Sequence, residues 1–315
     1  MTPAALAVDA GQTTIRAALA CDGRGPRSSV APGVVRVGAG FGPEAVSERL
    51  LAAVSQLGPL PEPAPPAAIG LSGFEAVGEE DLHWLAETFR SSAGVDSLAI
   101  ASDGLTALLG AIGRSDGAVV AAGTGTACLA RRGERFAKVD GWGSLLSDAG
   151  SGFMIGRAGL DAALREYDGR GGSPRLMEAA KRHYGTVERM SERIYAAPVP
   201  SRAVAGFATE VARAAADGDE YARAILSDAA RELAISACAA AGRLFEPEEQ
   251  VVISYAGSVF QAGELISQPF RREVEARRPG ASVVEPAGDP LAGALLLVEL
   301  ASELPDEPGI LATWT

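Results

Sequence analysis

The chain has 315 residues, enough for two domains of ordinary size. Hydrophobic residues make up 47% and charged residues 22%, the proportions of a soluble globular protein. The formal net charge of -12 argues against a nucleic-acid-binding surface, which requires a basic footprint. Anion binding would therefore depend on backbone N–H groups, helix N-termini and a divalent metal.

The sequence has none of the features of a secreted or membrane-spanning chain. The N-terminus lacks a basic region and carries Asp9 early, and no apolar run approaches the ~20 residues that span a bilayer. Cys21, Cys128 and Cys238 are scattered without CxxC spacing, which fits reduced thiols rather than disulfides or a metal site. We therefore expect a cytoplasmic protein that has neither nucleic acid nor membrane as a partner.

The first predicted elements are two strands on either side of a glycine-rich turn. The turn reads Asp9-Ala10-Gly11-Gln12-Thr13-Thr14, between apolar runs at 4–8 and 15–20. Apolar spacing then predicts a helix over 44–57, a strand over 67–71, a helix near 79–92, a strand over 98–101 and a helix over about 105–112. A polar hairpin at 21–25 leads from the second strand to a third before the first helix, so the first half predicts the order β-β-β-α-β-α-β-α.

The second half repeats this order around a second glycine-rich loop, Gly123-Thr124-Gly125-Thr126. Three strands are predicted between 118 and about 139, followed by a helical insertion at about 153–245, a strand over 251–255, a helix near 263–276, a strand over 282–285 and a helix over 290–300. Such alternation predicts an α/β fold of two duplicated domains, 1–114 and 115–315. The duplication predicts that Asp9, Asp103, Gly123 and Gly257 lie at strand carboxyl ends around one interdomain cleft.

The two loops and two aspartates are candidates for phosphoryl chemistry. Glycine lets the backbone approach a ligand closely, and bare N–H groups with Thr hydroxyls suit phosphate. Asp103 follows a buried strand, where it could accept a proton from a hydroxyl that attacks a γ-phosphate, or it could instead cap the next helix. Asp9 at a strand end suits Mg²⁺ held through water, or it could be a turn residue that bonds its own backbone.

The segment from Asp140 to Phe153 is the third candidate site. It contains two acids, a Trp and four glycines, which make a poor helix and a poor strand. Such a density of polar and permissive residues is typical of a binding loop. Trp142 could be a core anchor, but the flanking Asp140 and Asp148 favour a loop that binds hydroxyl groups.

These segments together resemble the BadF/BadG/BcrA/BcrD-type ATPase and N-acetylglucosamine kinase family, in the actin–hexokinase–Hsp70 superfamily. The resemblance covers nearly the whole chain and implies two ribonuclease-H-like domains of the actin/hexokinase type. Five motifs carry it in the family's order: Asp9-Ala10-Gly11-Gln12-Thr13, Ala101-Ser102-Asp103-Gly104, Gly123-Thr124-Gly125-Thr126, Gly141-Trp142-Gly143 with Ser147–Gly152, and Ala256-Gly257-Ser258-Val259-Phe260.

The resemblance implies an ATP-dependent amino-sugar kinase with ATP and Mg²⁺ as cofactors, acting as a homodimer on the sugar 6-hydroxyl. Asp103 would be the general base, and Asp9 would hold Mg²⁺ through water. The ATP and its phosphates would meet Asp9, Gly11, Gln12, Thr13, Gly123, Thr124, Gly125, Gly257 and Ser258. The sugar would meet Thr126, Ala127, Gly141, Trp142, Gly143 and Asp148.

The departures from the family pattern concentrate at the sugar. Members that phosphorylate N-acetylglucosamine often carry Asn after the second loop and near positions 40–41, whereas this chain contains no Asn and has Ala127-Cys128 after the loop. The acidic residue usual after the pocket Asp is Ala149 here. A related branch that phosphorylates free glucosamine has Cys after the loop, so glucosamine stays open as the substrate beside N-acetylglucosamine.

Two other functions stay open for this fold. One is an ATPase that activates a radical dehydratase or reductase, as another branch of the family does with an iron–sulfur cluster held by Cys ligands. Three widely spaced Cys residues argue against it. The other is a non-catalytic sugar sensor, which the presence of Asp103 disfavours.

Overall fold

The computed structural model describes residues 4–21, 24–33 and 42–314. The chain divides into two compact units, Met1–Ser115 with Glu285–Thr315, and Asp116–Val284. The division predicted from sequence assigned 285–315 to the second domain, whereas these residues pack within the first unit. The order of elements along the chain could not show this return, because it depends on contacts between segments far apart in sequence.

The first unit contains a six-stranded mixed sheet in the order β11-β5-β4-β1-β2-β3. Its strands are β1 (Ala5–Ala10), β2 (Thr14–Cys21), β3 (Arg24–Pro32), β4 (Ala67–Leu71), β5 (Leu98–Ser102) and β11 (Leu311–Trp314). Strands β1, β2 and β3 are antiparallel neighbours, β4 and β5 run parallel to β1, and β11 pairs antiparallel with β5. The sequence analysis did not predict β11.

The second unit repeats this topology in a five-stranded sheet, in the order β10-β9-β6-β7-β8. Its strands are β6 (Gly117–Ala122), β7 (Thr126–Arg132), β8 (Arg135–Asp140), β9 (Val251–Ala256) and β10 (Ala281–Val283). The antiparallel strands β6, β7 and β8 correspond to β1, β2 and β3 of the first sheet. Strand β9 runs parallel to β6 as β4 does to β1, and β10 runs parallel to β9 as β5 does to β4. The predicted duplication is therefore confirmed.

Eleven α-helices are described, and most lie where apolar spacing predicted them. They are α1 (Pro43–Ser55), α2 (Glu79–Ala93), α3 (Asp103–Ile112), α4 (Gly152–Tyr167), α5 (Pro174–Tyr184), α6 (Val187–Tyr195), α7 (Pro200–Gly206), α8 (Ala208–Ala216), α9 (Glu220–Gly242), α10 (Glu264–Arg277) and α11 (Pro290–Leu300). Helices α4 to α9 form the insertion predicted at about 153–245. No helix among the described residues combines the length and apolar character needed to cross a bilayer.

Each unit has its own apolar core. In the first unit, side chains of the sheet such as Leu6 and Ile69 pack with Leu50 of α1 and with Leu85 and Phe89 of α2. Helices α3 and α11 contact each other and also pack on β1 and β4. In the second unit, α9 packs on β6, β7 and β8 and carries much of a core that extends into the insertion.

Helices α3 and α11 approach each other so closely that only glycine fits at the contact. A Cβ atom at Gly110 would overlap the carbonyl oxygen of Asp289, and one at Gly293 would overlap the carbonyl oxygen of Thr106. The N–H of Ala287 donates to the carbonyl of Ala111 at 2.9 Å and ties the segment before α11 to the end of α3. The two helices therefore hold each other's N-terminal residues in fixed positions.

We expect Gly110→Ala to destabilise the protein by about 1–3 kcal/mol, because overpacking outweighs the roughly 1 kcal/mol by which Ala favours a helix. Gly242→Ala is the matched control, since a Cβ there would lie 4.0 Å from Arg278 Nη1, an ordinary contact. Urea unfolding followed by circular dichroism measures both. Equal stability of the two variants would show that the close helix contact does not need glycine.

Candidate functional site

The first glycine-rich turn joins β1 to β2 and is fixed by its backbone. The N–H of Gly11 donates to the carbonyl of Thr14 at 3.0 Å, and the N–H of Gly33 donates to the carbonyl of Thr13 at 2.9 Å. Gln12 and Thr13 are exposed at the tip. The turn is thus a rigid projection with polar residues facing solvent, the arrangement that phosphate binding would use.

Asp9 lies at the end of β1, directly opposite Arg16 of β2 in the strand register. Arg16 donates to Asp9 Oδ2 from Nε at 3.1 Å and from Nη2 at 2.6 Å. Burial raises the pKa of Asp9 above its ordinary value, and the hydrogen bond and positive charge of Arg16 oppose that rise. The turn-residue alternative is wrong, since the carboxylate bonds a side chain of the neighbouring strand rather than its own backbone.

The same arginine reaches a second carboxylate. Arg16 Nη1 lies 2.5 Å from Asp289 Oδ2, while Asp289 Oδ1 accepts the N–H of Ala292 at 3.0 Å and so caps α11. Burial alone would raise the pKa of Asp289, but the N–H groups of Ala292 and Leu291 and the charge of Arg16 outweigh it and lower the pKa. Neither Arg16 nor Asp289 was among the residues predicted from sequence.

Asp103 is the first residue of α3 and directly follows β5. The N-cap of this helix is Ser102, whose hydroxyl accepts the N–H of Leu105 at 3.3 Å. The alternative in which Asp103 is the cap is therefore wrong. Asp103 therefore lies on the first turn of α3, directly after the strand, without serving as its cap.

The second glycine-rich loop, between β6 and β7, is docked on the N-terminus of α4. The N–H groups of Gly152 and Phe153 donate to the carbonyls of Gly123 and Thr124 at 2.8 and 3.1 Å. The N–H of Gly123 donates to the carbonyl of Gly125 at 2.8 Å. The carbonyls of Gly123, Thr124 and Gly125 thus all accept hydrogen bonds from protein N–H groups, so none of them is left unpaired to repel a phosphate.

The last of the five motifs, Ala256–Phe260, lies beside this loop. Gly257 follows β9 with φ 99°, which favours glycine, and a Cβ there would overlap the carbonyl oxygen of Ala122 at the end of β6. A Cβ at Gly123 would lie 3.9 Å from Ser258 Oγ. The structure therefore brings Gly257 and Ser258 together with the second glycine-rich loop, as expected if both contact one nucleotide.

Asp140 anchors the loop that follows β8. Its Oδ1 accepts the N–H of Gly141 and of Asp148, both at 2.9 Å, and the hydroxyl of Ser147. Its Oδ2 accepts the hydroxyl of Ser236 on α9 at 3.1 Å. Because both oxygens are occupied, Asp140 has a structural role, and sequence reasoning missed Ser236 because α9 is distant in the chain.

The tip of this loop is exposed. The N–H groups of Leu146 and Ser147 donate to the carbonyl of Gly143 at 3.0 and 2.9 Å and form a turn. Trp142 is 76% exposed, so the core-anchor alternative is wrong, and Leu145 is exposed as well. Gly141 lies against β7, where a Cβ would be 3.2 Å from that of Ala127.

Asp148 is buried against the second glycine-rich loop, and a Cβ at Gly125 would lie 2.7 Å from its Oδ2. Burial raises the pKa of Asp148, while the backbone N–H groups of Thr126 and Gly143 lie close enough to lower it in part. Both Asp140 and Asp148 have left-handed φ angles of 65° and 62°, which are uncommon for residues other than glycine. Such backbone strain persists only where surrounding contacts hold the residue in place, and it is concentrated at binding and active sites.

Thr126 carries a polar atom without a partner. Its side chain is only 3% exposed, and within the part of the chain that the structure describes its Oγ1 makes no hydrogen bond. A buried hydroxyl left unpaired costs about 1–3 kcal/mol. The backbone N–H of the same residue lies beside the Asp148 carboxylate, so the unpaired hydroxyl and the carboxylate belong to neighbouring parts of this loop region.

The described residues offer no ready-made metal cage, since no group of three or more His, Cys, Asp or Glu occurs among them. Asp9 nevertheless fits a water-mediated Mg²⁺ contact. In the described residues every hydrogen bond to its carboxylate goes to Oδ2, so Oδ1 stays open to a metal-bound water. Mg²⁺ keeps several waters and commonly uses one or two carboxylates.

Comparison with known protein families identifies the chain. The model of the BadF/BadG/BcrA/BcrD ATPase family matches residues 6–298. The chain belongs to this family. The family predicted from five motifs is therefore confirmed.

Individual relatives are sugar kinases by name. The N-acetylmuramic acid/N-acetylglucosamine kinase of Clostridium acetobutylicum is 28% identical over 260 residues, which cover 80% of this chain and 83% of the relative. The solved structure of a candidate N-acetylglucosamine kinase from Chromobacterium violaceum is 28% identical with a TM-score of 0.70, covering 94% of this chain and 98% of that one.

A more distant structure bears on the fold alone. The ROK family glucokinase of Streptomyces griseus, solved with glucose and AMPPNP, has a TM-score of 0.62 at 18% identity and covers 96% of this chain and 100% of that one. The predicted α/β fold of the actin/hexokinase type is therefore confirmed.

We expect Thr126→Val to keep or raise the thermal stability, because it removes an unpaired buried hydroxyl without changing volume much. If that hydroxyl meets a ligand, the variant will lose about 3–10-fold in kcat/KM for N-acetylglucosamine, the worth of one neutral hydrogen bond. Thr126→Ser, which keeps the hydroxyl, is the control. Unchanged sugar kinetics in Thr126→Val would contradict a ligand contact.

Proposed function

We propose that this protein is an ATP-dependent amino-sugar kinase that phosphorylates the 6-hydroxyl of N-acetylglucosamine or glucosamine. The enzyme class, an ATP-dependent sugar kinase, agrees with the family and with the named relatives. The observation that carries the substrate proposal is the buried pair of Asp148 and Thr126 beside the second glycine-rich loop. This pair puts a carboxylate that we propose binds a sugar hydroxyl next to a loop suited to phosphate.

Asp103 is the proposed general base. Its carboxylate accepts the proton of the sugar hydroxyl as the hydroxyl oxygen attacks the γ-phosphorus of ATP, and ADP leaves. Because Ser102 already caps α3, the Asp103 side chain is not needed for that purpose.

The nucleotide contacts are proposed on both glycine-rich segments. Gly11, Gln12 and Thr13 are the proposed contacts in the first turn, and Gly123, Thr124 and Gly125 in the second loop. The base and ribose would meet Gly257 and Ser258, which lie beside that loop. A bound Mg²⁺ would neutralise phosphate charge, with Asp9 holding its waters.

Asp148 is the proposed acceptor for a sugar hydroxyl or ammonium group. Asp140 cannot serve, because its two oxygens are occupied by Gly141, Asp148, Ser147 and Ser236. A positive ammonium group would offset the burial that raises the pKa of Asp148. This supports glucosamine as a substrate as well as its acetylated form.

The acetamido group must find its partners elsewhere. Ala127, at one of the two positions where family members often carry Asn, has no side-chain amide, and positions 40–41 lie outside the described residues. Thr126 Oγ1 and exposed groups of the loop, including Trp142 and the backbone of Gly141 and Gly143, are the proposed contacts. Thr126 Oγ1 can donate to the acetamido carbonyl or accept from its N–H.

We expect Asp103→Asn to lower kcat by roughly 10²–10⁴-fold, because the amide keeps the shape but cannot accept the proton. ATP affinity should barely change. Asp96→Asn is the matched control, since Asp96 is exposed just before the same strand. A loss of kcat smaller than tenfold would count against the general-base role.

The substrate is tested by coupled ADP release with N-acetylglucosamine, glucosamine, N-acetylmannosamine, N-acetylmuramic acid and glucose, at equal ATP and Mg²⁺. We expect the highest kcat/KM for N-acetylglucosamine, with glucosamine close behind. Mass spectrometry and NMR of the product identify the phosphorylated oxygen. Normal ATP binding with no activity on any amino sugar would remove the substrate half of the proposal.

A further inference from the structure

Arg16 joins two carboxylates that come from opposite ends of the chain. It bonds Asp9 of β1 through Nε and Nη2, at 3.1 and 2.6 Å, and Asp289 through Nη1, at 2.5 Å. The Asp9 side chain is only 14% exposed, whereas that of Asp289 is 53% exposed. The guanidinium fork therefore runs from a buried carboxylate next to the first glycine-rich turn to an exposed carboxylate on α11.

The position of Asp289 is fixed independently of Arg16. Its Oδ1 caps α11 through Ala292, and its carbonyl oxygen lies in the space that Gly110 of α3 leaves open. Only Oδ2 remains for Arg16. Asp289 is thus a rigid support on which the arginine is held.

We propose that Arg16 and Asp289 are positioning residues for the Asp9 carboxylate at the nucleotide phosphates. Arg16 occupies Asp9 Oδ2 and so fixes the rotation of the carboxylate, leaving Oδ1 for a metal-bound water. Asp289 holds Arg16 on Asp9 and keeps it from turning to the phosphates. This inference rests on the proposed function, in which Asp9 supports Mg²⁺-bound ATP.

A contribution to stability does not account for the ion pair between Arg16 and Asp289. An ion pair with one partner half exposed contributes little to folding. The cap on α11 needs only Oδ1 of Asp289, and Asn caps a helix as well as Asp does. The cap therefore does not require the negative charge of Asp289, whereas the ion pair with Arg16 does.

The experiment is a double-mutant cycle with Arg16→Gln, Asp289→Asn and the double variant, with Arg114→Gln as control. Arg114 forms an exposed pair with Glu299 of α11 and Glu303 just beyond it, so it matches the charge change away from the turn. Titration calorimetry without sugar measures the affinity for ATP with and without Mg²⁺. Thermal unfolding is followed in parallel.

We expect Arg16→Gln to lose about 10–100-fold in affinity for Mg²⁺-bound ATP, as substitution of residues that orient metal ligands generally does. Metal-free ATP should be bound nearly as in the wild type. Asp289→Asn should show a smaller loss in the same direction with little change in Tm, and no further loss in the Arg16→Gln background. Arg114→Gln should change neither affinity.

An equal loss for Mg²⁺-bound and metal-free ATP would overturn the proposal and make Arg16 a direct phosphate ligand. A loss from Asp289→Asn that persists in the Arg16→Gln background would overturn the part assigned to Asp289. If Arg16→Gln does not fold, Asp289→Asn carries the test, and an unchanged affinity for Mg²⁺-bound ATP overturns the proposal. Wild-type protein that binds Mg²⁺-bound ATP but phosphorylates no sugar would refute the proposed function and leave this inference standing.

Discussion

The contact between α3 and α11 sets the geometry of the first unit. Where two helices meet at Gly110 and Gly293, backbone atoms of one lie against backbone atoms of the other, and no side chain can adjust the distance. Interiors packed in this way transmit displacement instead of absorbing it. The helix that begins with Asp103 and the helix capped by Asp289 therefore behave as one rigid body, which fixes the positions of these two residues relative to each other.

In the second unit, the loop after β8 is held by a carboxylate, Asp140. Asp140 satisfies four donors and fixes both ends of its loop, while Asp148 stays near the Gly123–Gly125 loop with a raised pKa. A carboxylate whose two oxygens both accept several protein donors is a structural element, and one that accepts fewer is suited to a ligand. The two aspartates look alike in sequence, and only their partners separate these roles.

Much of the fold could be predicted from sequence because it depends on local pattern. The glycine-rich turns, the apolar strands and the helical spacing each lie within a few neighbouring residues, so the duplicated order and the boundaries of β4 and α11 emerged directly. The pairing of Arg16 with Asp9 could also have been derived, since a tight turn at Gly11–Thr14 places them opposite each other.

The remainder depends on contacts that sequence order does not encode. The return of 285–315 to the first unit, the strand β11 and the bond from Ser236 to Asp140 join segments that are far apart in the chain. Within the described residues the hydroxyl of Thr126 has no hydrogen-bond partner, which the sequence could not show because a Thr at the start of a strand usually has one.

The return of the C-terminal segment has a consequence for the order in which the protein is made. The second unit, Asp116–Val284, is continuous and can complete its fold once its own residues have left the ribosome. The first unit cannot, because α11 covers β1 and β4 and β11 pairs with β5, and both are synthesised after the whole second unit. During translation the first half therefore has an apolar sheet face and a strand edge uncovered until the residues of α11 and β11 have been made.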